Sequence, residues 1–304
     1  MPFRKIFFFI LFSLVFSSSA HAFDGYVQQF DGERSIAWGS GDIIVTGEVE
    51  TPDGDEVEPP TPLAVRKAAS RARKLMLDMI MAIRIDGRQT VSAHLSDNED
   101  LAAQLRGLVH NSLFEGPDMF RDIRSVKVSE SLRGKLAELI LPKTVQFQSS
   151  IPPRLSTATG PAFQIGETPE AVGNAGGFTG VIVDARGLKI TPCLLPVIYG
   201  EDGLGAYGAF LVARADAVDV GVAAYATTAN PAALVERVGG HPLVVRAVRT
   251  YGSWQTDLII PTQAATLVRT VMQSGHARKG GVVIVVSPPP APEKSVVEGG
   301  DSDA

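Results

Sequence analysis

Residues Thr61 to Ile83 read TPLAVRKAASRARKLMLDMIMAI and give the strongest helix signal in this chain of 304 residues. Thr61 is a suitable N-cap, and Pro62 fits the first helical position. Apolar residues recur on one side at helical spacing: Val65, Ala68, Ala69, Ala72, Met76, Met79, Ile80 and Ile83. The other side carries five cations: Arg66, Lys67, Arg71, Arg73 and Lys74. The stretch predicts an amphipathic helix whose apolar stripe packs on a sheet.

Strand signals lie on both sides of this helix. The preceding segment GDIIVTGEVE, residues 41–50, alternates between its two faces with the period of a half-buried strand. The following segment IRIDGRQTV, residues 83–91, predicts a hairpin because Asp86 and Gly87 form a two-residue turn signal. Strands are therefore expected both before and after the helix.

Further signals complete a first domain over residues 35–148. Ser96 and Glu99 form a capping box that would open a second helix. Residues 120–130 and 136–148 resemble paired strands. The order of these elements predicts a small α+β domain in which helices pack on one face of a mixed or antiparallel sheet.

A second domain is predicted over residues 178–286. The preceding residues, 149–177, are rich in Pro, Gly, Ser and Thr without periodicity, which is typical of a linker. Strands are predicted at 180–184, 194–199, 218–225, 243–248, 258–260 and 281–286, and helices at 230–239 and 262–274. The run GVVIVV, 281–286, is apolar throughout, as in a fully buried central strand. These elements predict a second small α+β domain, again with a mixed or antiparallel sheet and helices on one face.

The two ends of the chain carry different signals. Residues 1–22 contain a basic pair at Arg4 and Lys5, an apolar run too short to span a membrane, and a small-x-small cleavage site. They predict a signal peptide, so the mature chain is expected to be a soluble protein of the periplasm. Residues 287–304 have little to pack and predict a disordered tail.

Composition argues against some classes of function. The net charge of −5 disfavours a nucleic-acid-binding protein, which would carry a basic excess. The single cysteine, Cys193, excludes an intrachain disulfide. Because Cys193 lies within an apolar run, we expect it to be a buried packing residue.

No motif in the sequence dictates a reaction. The histidines outside the signal peptide match no metal-ligand spacing; they are His94, His110, His241 and His276. The acidic loop 53–58 lacks the spacing of an EF-hand, so a solvated loop is favoured over a calcium site. We therefore expect no enzyme, no cofactor and no metal. An envelope hydrolase that uses Asp184 with His241 or Cys193 is the least favoured alternative.

A candidate binding site lies in the second domain. The stretch GVIVDARGLKITP, residues 180–192, ends a strand with Asp184 and Arg186 on one side. Their pairing at a turn is the favoured interpretation, and the mouth of a binding pocket is the alternative. Together with the glycine-rich turn GEDGLGAYG, the candidate binding residues are Asp184, Arg186, Tyr199, Asp202 and Tyr207.

The cations of the long helix form a second candidate surface, the basic face, which consists of Arg66, Lys67, Arg71, Arg73 and Lys74. Such a face can meet anionic lipid head groups or an acidic partner. The favoured alternative is a solvated face whose long side chains cover the edges of the apolar stripe.

Two parts of the chain resemble a family of bacterial envelope proteins. Residues 41–50 and the helix and hairpin after them resemble the N-terminal domain of flagellar assembly protein T and related secreted or lipid-anchored proteins. The matching residues are Ala64, Ala68, Ala69, Ala72 and Arg73 in the helix, and 84–91 in the hairpin. The segment 180–286 resembles the companion region of secreted relatives at 179–187, 202–208, 240–247 and 261–265. No lipid-acceptor cysteine follows the signal peptide, so the lipid-anchored branch is not implied.

The resemblance implies an envelope protein that works by binding other proteins and has no enzymatic centre. The expected function is that of an assembly or scaffolding component, with the flagellar motor as the assembly that the family suggests. Expected partners are envelope or flagellar motor proteins, with peripheral membrane or cell-wall contact and no nucleic acid. The alternative is a periplasmic module that binds a small ligand or glycan through the glycine-rich turn.

Overall fold

The computed structural model describes residues 25–49, 60–118, 124–155, 177–273 and 279–289. Within these ranges the fold is α+β, as the sequence predicts, and its strands form three sheets. None of the helices in these ranges is both long enough and apolar enough to cross a bilayer. The predicted signal peptide, the acidic loop 53–58, and most of the predicted linker and tail lie outside the described residues.

The first sheet is antiparallel throughout, in the order β1-β2-β3-β5-β4. Its strands are β1 (Val27–Gln29), β2 (Arg34–Ala37), β3 (Asp42–Glu48), β4 (Leu113–Glu115) and β5 (Ser125–Ser131). β3 is the strand predicted in the segment 41–50, and its residues Ile43, Val45 and Gly47 are buried at alternate positions. β1 precedes residue 35 and still pairs with β2.

The predicted long helix is α1 (Pro62–Ala82), and Thr61 caps it by accepting a hydrogen bond from Ala64 N at 3.2 Å. α1 packs on β3 and β5. A Cβ atom on Gly47 would lie 2.9 Å from Ala68 O, so the helix approaches β3 at a point where only glycine fits without a shift. Small residues on both elements therefore set the distance between helix and sheet.

Two shorter helices follow α1: α2 (Val91–Leu95) and α3 (Glu99–His110). The predicted capping box of Ser96 and Glu99 is wrong, because Asn98 caps α3 and accepts a hydrogen bond from Leu101 N at 3.0 Å. Ser96 instead donates to Ala93 O at 2.9 Å, at the end of α2. Asparagine and serine are about equally good N-caps, so local propensity does not separate the two positions.

A fourth helix, α4 (Lys135–Ile140), occupies the start of the segment 136–148 that was predicted as a strand. That prediction is wrong because Leu136, Ala137 and Ile140 are buried together on one side of a helical turn. The chain enters α4 through Gly134, whose φ of +58° is a conformation that favours glycine.

The second region contains two sheets where one was predicted. The parallel sheet has the order β10-β6-β13-β9 and consists of β6 (Val181–Asp184), β9 (Ala224–Ala226), β10 (Leu243–Arg246) and β13 (Val282–Val285). All three of its strand pairs are parallel. β13 corresponds to the predicted central strand, and it is buried at every position between β6 and β9. Burial on both faces explains its uninterrupted apolar run.

The third sheet is mixed and has the order β11-β12-β7-β8. Its strands are β7 (Ile198–Gly200), β8 (Gly205–Tyr207), β11 (Arg249–Tyr251) and β12 (Asp257–Ile260). The helices of this region are α5 (Arg214–Asp219), α6 (Val235–Val238) and α7 (Thr262–Val271). α7 packs on β7 and β8, and α6 packs on β13.

The prediction of a strand at 218–225 is wrong for the first part of this segment. Val218 is a buried residue of α5, and β9 begins only at Ala224. Between them the chain turns at Gly221, whose φ is +81°. The apolar residues before this glycine therefore belong to α5, and those after it lead into β9.

The two predicted domains contact each other and share one continuous cluster of buried apolar residues. Tyr26 N donates to Tyr225 O at 2.8 Å, and Leu195 N donates to Ile85 O at 2.8 Å. The Trp38 ring packs edge-to-face on Tyr225 with ring centroids 5.6 Å apart. Main-chain and side-chain contacts therefore join the first region to the second.

Candidate functional site

The carboxyl edge of the parallel sheet carries the Asp184 cluster, which consists of Asp184, Arg186 and Arg246. β6 and β10 are parallel, and their register places Asp184 beside Arg246. Parallel strands end on one edge, and this edge is where open α/β sheets commonly bind ligands. The fold therefore adds Arg246 to the two residues that the sequence singled out.

Two arginines hold Asp184. Its carboxylate accepts hydrogen bonds from Arg186 N at 3.1 Å, Nε at 2.9 Å and Nη2 at 2.8 Å. Arg246 Nη1 donates to the same carboxylate at 3.0 Å, and Arg246 Nη2 donates to Arg186 O at 2.9 Å. The turn is completed at Gly187, whose φ of +85° favours glycine. The predicted pairing of Asp184 with Arg186 is present.

The Asp184 cluster carries a net positive charge, because two arginines surround one carboxylate. The side-chain hydrogen bond from Arg186 lowers the pKa of Asp184 to about 2, although burial opposes the shift. A carboxylate that stays ionised at neutral pH holds no proton to donate, so Asp184 is unsuited to general acid catalysis. Two guanidinium groups around one carboxylate leave one positive charge that can attract an acidic group.

β10, beside this cluster, is an edge strand: among the described strands it pairs with β6 alone. The N–H groups of Leu243 and Ala247 donate to β6. Val244 and Arg246 lie at the alternate positions, so their N–H and C=O groups point away from the sheet. Val244 and Val248 are 51% and 47% exposed. Among the described residues this edge is therefore open, with Val244 on the strand and Val248 two residues beyond its end.

Asp202 in the glycine-rich turn pairs with Arg269 of α7 and does not join the Asp184 cluster. Arg269 Nη1 and Nη2 donate to the two carboxylate oxygens of Asp202 at 2.9 and 3.0 Å. Arg269 also donates to Leu204 O at 2.8 Å and to Gly205 O at 3.2 Å. Both side chains of the ion pair are 17% exposed. The pair fastens the turn to α7.

The two candidate tyrosines lie inside the second region. Tyr207 is fully buried and donates its hydroxyl to Val222 O. Tyr199 is 8% exposed and packs edge-to-face on Tyr251, with ring centroids 5.8 Å apart. A cavity of about 210 Å³ is lined by Gly205 and Ala206 of the turn and by Phe210, but by neither tyrosine. The placement of the tyrosines does not favour the ligand-binding alternative, which stays a prediction.

The residues of the hydrolase alternative have separate partners. Cys193 is a buried free thiol, which confirms the prediction for this residue. Burial raises the pKa of its thiol, and a protonated thiol is a poor nucleophile. Tyr225 donates its hydroxyl to Cys193 O at 3.2 Å. His241 is exposed and stacks on Phe178, with ring centroids 5.1 Å apart.

The basic face lies on α1, as the sequence predicts. Arg66, Lys67 and Arg71 are exposed along the helix. Arg73 and Lys74 border a groove between α1 and α3. The five cations therefore divide into an exposed row and a pair that faces α3.

Two carboxylates, those of Asp86 and Asp257, come together at the junction of the two regions, and the sequence does not predict this pair. The predicted hairpin is present as a bridge between Arg84 and Thr90, and its turn reaches β12. A Cβ on Gly87 would lie 3.7 Å from Asp257 Oδ2, so the adjacent Asp86 comes near Asp257. Burial, with a further contribution from the charge of Asp86, raises the pKa of Asp257 to about 6. Asp257 is buried by the contact between the two regions, so no local pattern in the sequence predicts its burial.

Within the described residues, no three side chains of His, Cys, Asp or Glu gather in a way that could hold a metal ion. The carboxylates described above have other roles: Asp184 and Asp202 form ion pairs, and Asp257 lies at the junction of the two regions.

A comparison with protein families finds one match in the second region. The family described as Treponema pallidum Tp0624, second domain, matches residues 180–289. This segment includes the parallel sheet, the mixed sheet and the Asp184 cluster. No curated protein matches the chain. The family match does not reach the first region, whose resemblance to flagellar assembly protein T stays a prediction. Over a little more than a third of its length, this chain is similar to a domain of a bacterial protein.

Proposed function

We propose that this chain is a non-enzymatic, exported component of a bacterial cell envelope, and that it serves in assembly or scaffolding by binding another protein. The observation that carries the proposal is the open edge of β10 beside the Asp184 cluster. The signal peptide in residues 1–22 supports a periplasmic location. The resemblance of the first region to flagellar assembly protein T favours the flagellar motor as the assembly.

The edge of β10 has the features of a site for strand addition. The outward N–H and C=O groups of Val244 and Arg246 can bond to an extended segment of another protein. Side chains of that segment would contact Val244 and Val248, which are 51% and 47% exposed. Main-chain bonds supply affinity in this mode, and the neighbouring side chains supply specificity.

Charge would select the partner. The side chains of Arg186 and Arg246 are 46% and 65% exposed, and they share the single carboxylate of Asp184. A partner strand that carries an acidic residue beside its apolar positions would complement this surface. The hydrogen bonds of the Asp184 cluster also order the ends of β6 and β10 before a partner binds. This order reduces the entropy lost on association.

Crosslinking in the periplasm, followed by pull-down of the tagged full-length chain, tests the proposal. Val244→Pro removes one outward N–H and leaves the pairing of β10 with β6 intact, and Val244→Lys places a charge on the edge. We expect both variants to lose a partner that the wild type captures. Ile151→Lys is the matched control, because Ile151 is an exposed apolar residue (69%) outside the parallel sheet.

Purified Val244→Lys and Ile151→Lys should melt within about 2 °C of the wild type, because exposed substitutions change stability by about 0.5 kcal/mol or less. Val244→Pro should melt lower than these two, because proline fixes φ at about −65° within a strand, so Val244→Lys is the variant that isolates binding. Recovery of the wild-type chain as monomer alone would overturn the proposal. Equal capture by the wild type and both Val244 variants would remove β10 as the docking edge.

A further inference from the structure

The groove between α1 and α3, which we call the α1–α3 groove, has a strongly cationic lining. Its polar lining residues are Ser70, Arg73, Lys74, Arg106 and His110. Three of these carry a permanent positive charge, and none of the lining residues is acidic. The groove has a volume of about 220 Å³. It is therefore a concave site with one sign of charge.

Within the part of the chain that the structure describes, these cations form no salt bridge. No carboxylate in the described ranges forms a salt bridge with Arg73, Lys74 or Arg106. The acids of the two helices are Asp78, Glu99 and Asp100, and none of them lines the groove. Glu99 and Asp100 lie at the start of α3, about 10 Å along the helix from Arg106. The positive charge of the groove is therefore left for an outside anion.

Arg73 is already oriented in the groove. Its Nη2 donates to Ser112 O at 2.8 Å, and its guanidinium lies 5.4 Å from the centre of the Phe114 ring. Both contacts are with uncharged groups, so neither neutralises the arginine. Its Nε is buried and has no hydrogen-bond acceptor in the structure. Ordering this side chain costs little on binding, because the fold has already ordered it.

We infer that the α1–α3 groove binds a phosphate group, either free or carried by an anionic lipid head group. Arginine and lysine together are the usual ligands of phosphate oxygens, and several cations suit a group with up to two negative charges. The groove has a volume of about 220 Å³, less than the roughly 300 Å³ at which small-molecule pockets begin, so its size suits a compact anionic group. Arg66 lies seven residues before Arg73 on the same side of α1, so positive charge continues beyond the groove.

Calorimetric titration of the full mature chain with inorganic phosphate and with pyrophosphate tests the site. Chloride is varied to keep the ionic strength constant, so that general screening is separated from binding. Lys74→Gln and Arg106→Gln change exposed residues of the groove. Lys189→Gln makes the same change on an exposed lysine of the second region and serves as the control. We expect each groove variant to weaken binding about fivefold and the control to leave it unchanged, since one charged hydrogen bond at a partly solvated site is worth about 1 kcal/mol.

Co-sedimentation with vesicles separates the two sources of phosphate. Vesicles that contain phosphatidylglycerol are compared with neutral phosphatidylcholine vesicles, using the same variants. Binding to the anionic vesicles that depends on Lys74 and Arg106 identifies a lipid phosphate, whereas binding of soluble phosphate alone identifies a free anion. The inference is overturned if the wild type binds neither soluble phosphate nor anionic vesicles, or if Lys74→Gln and Arg106→Gln bind like the wild type. Val244→Lys leaves the groove untouched and should bind phosphate normally, so this inference and the proposed docking edge can fail separately.

Discussion

Asp257→Asn probes the junction between the two regions by removing one buried negative charge. The asparagine keeps an oxygen at the position of Asp257 Oδ1, which accepts a hydrogen bond from Val197 N at 3.1 Å. It removes a carboxylate charge that burial and the charge of Asp86 disfavour, while Arg88 favours it to a smaller extent. The shape of the site is retained, so the change in stability should report the cost of the charge.

The magnitude follows from the pKa of Asp257, which rises from 3.8 to about 6 in the folded chain. A shift of about two pH units corresponds to about 3 kcal/mol against the folded state once the carboxyl is ionised. Because the folded state binds the proton more tightly, the unfolding free energy of the wild type should rise as the pH falls from 7 toward 4. Asp257→Asn lacks this dependence. The variant should be more stable by about 3 kcal/mol at pH 7, by about 1.5 kcal/mol at pH 5 and by about 0.5 kcal/mol at pH 4.

Thermal and urea unfolding of the mature chain between pH 4 and pH 8 measures this difference. At about 2–4 °C per kcal/mol for a chain of this size, the variant should melt about 6–12 °C higher at pH 7. Asp97→Asn makes the same change on an exposed carboxylate and should shift the melting temperature little. The reasoning is refuted if Asp257→Asn is less stable than the wild type at pH 7, or if its advantage does not shrink as the pH falls.

Three further predictions concern packing and burial. Gly180→Ala should destabilise the chain by about 3 kcal/mol, because its Cβ would lie 2.6 Å from Val238 O and 2.7 Å from Gly281 O, both main-chain atoms that cannot yield easily. Gly107→Ala in α3 meets nothing within 4 Å and should instead stabilise by about 0.5–1 kcal/mol in urea unfolding; equal effects of the two variants would contradict the packing account. Cys193 should react with a thiol reagent at pH 8 only after unfolding in guanidinium, because the thiol is buried and its pKa is raised. Rapid labelling of the native chain would show that the region around Cys193 opens far more readily than its burial implies.

The parts of the fold that the sequence predicted correctly are those with a local cause. Thr61 and Pro62 start α1 where their preferences place them, and the apolar run of β13 forms the buried central strand. The errors arose where two local choices were close in free energy. Asn98 and Ser96 are both good caps, and the apolar residues after Gly134 suit a helix or a strand equally well until packing decides between them.

The candidate site divides in the same way. Arg186 is two residues from Asp184, so the spacing itself indicated the pair. Arg246 is 62 residues from Asp184, and only the parallel register of β6 and β10 brings the two together. Asp202 was singled out by its turn, but its partner Arg269 lies 67 residues away on α7.

The sequence by itself determined the compositional class, the signal peptide that it predicts, the amphipathic α1 with its basic face, and the Asp184–Arg186 turn. Each of these depends on periodicity or on side chains a few residues apart, which the order of amino acids specifies directly. The tertiary structure alone decided that the second region has two sheets, that β10 is left as an open edge, and that Arg73 and Arg106 face each other across a groove. It also decided that Asp257 is buried near Asp86. These features depend on contacts between residues far apart in the chain, and burial, register and local charge exist only after those contacts have formed.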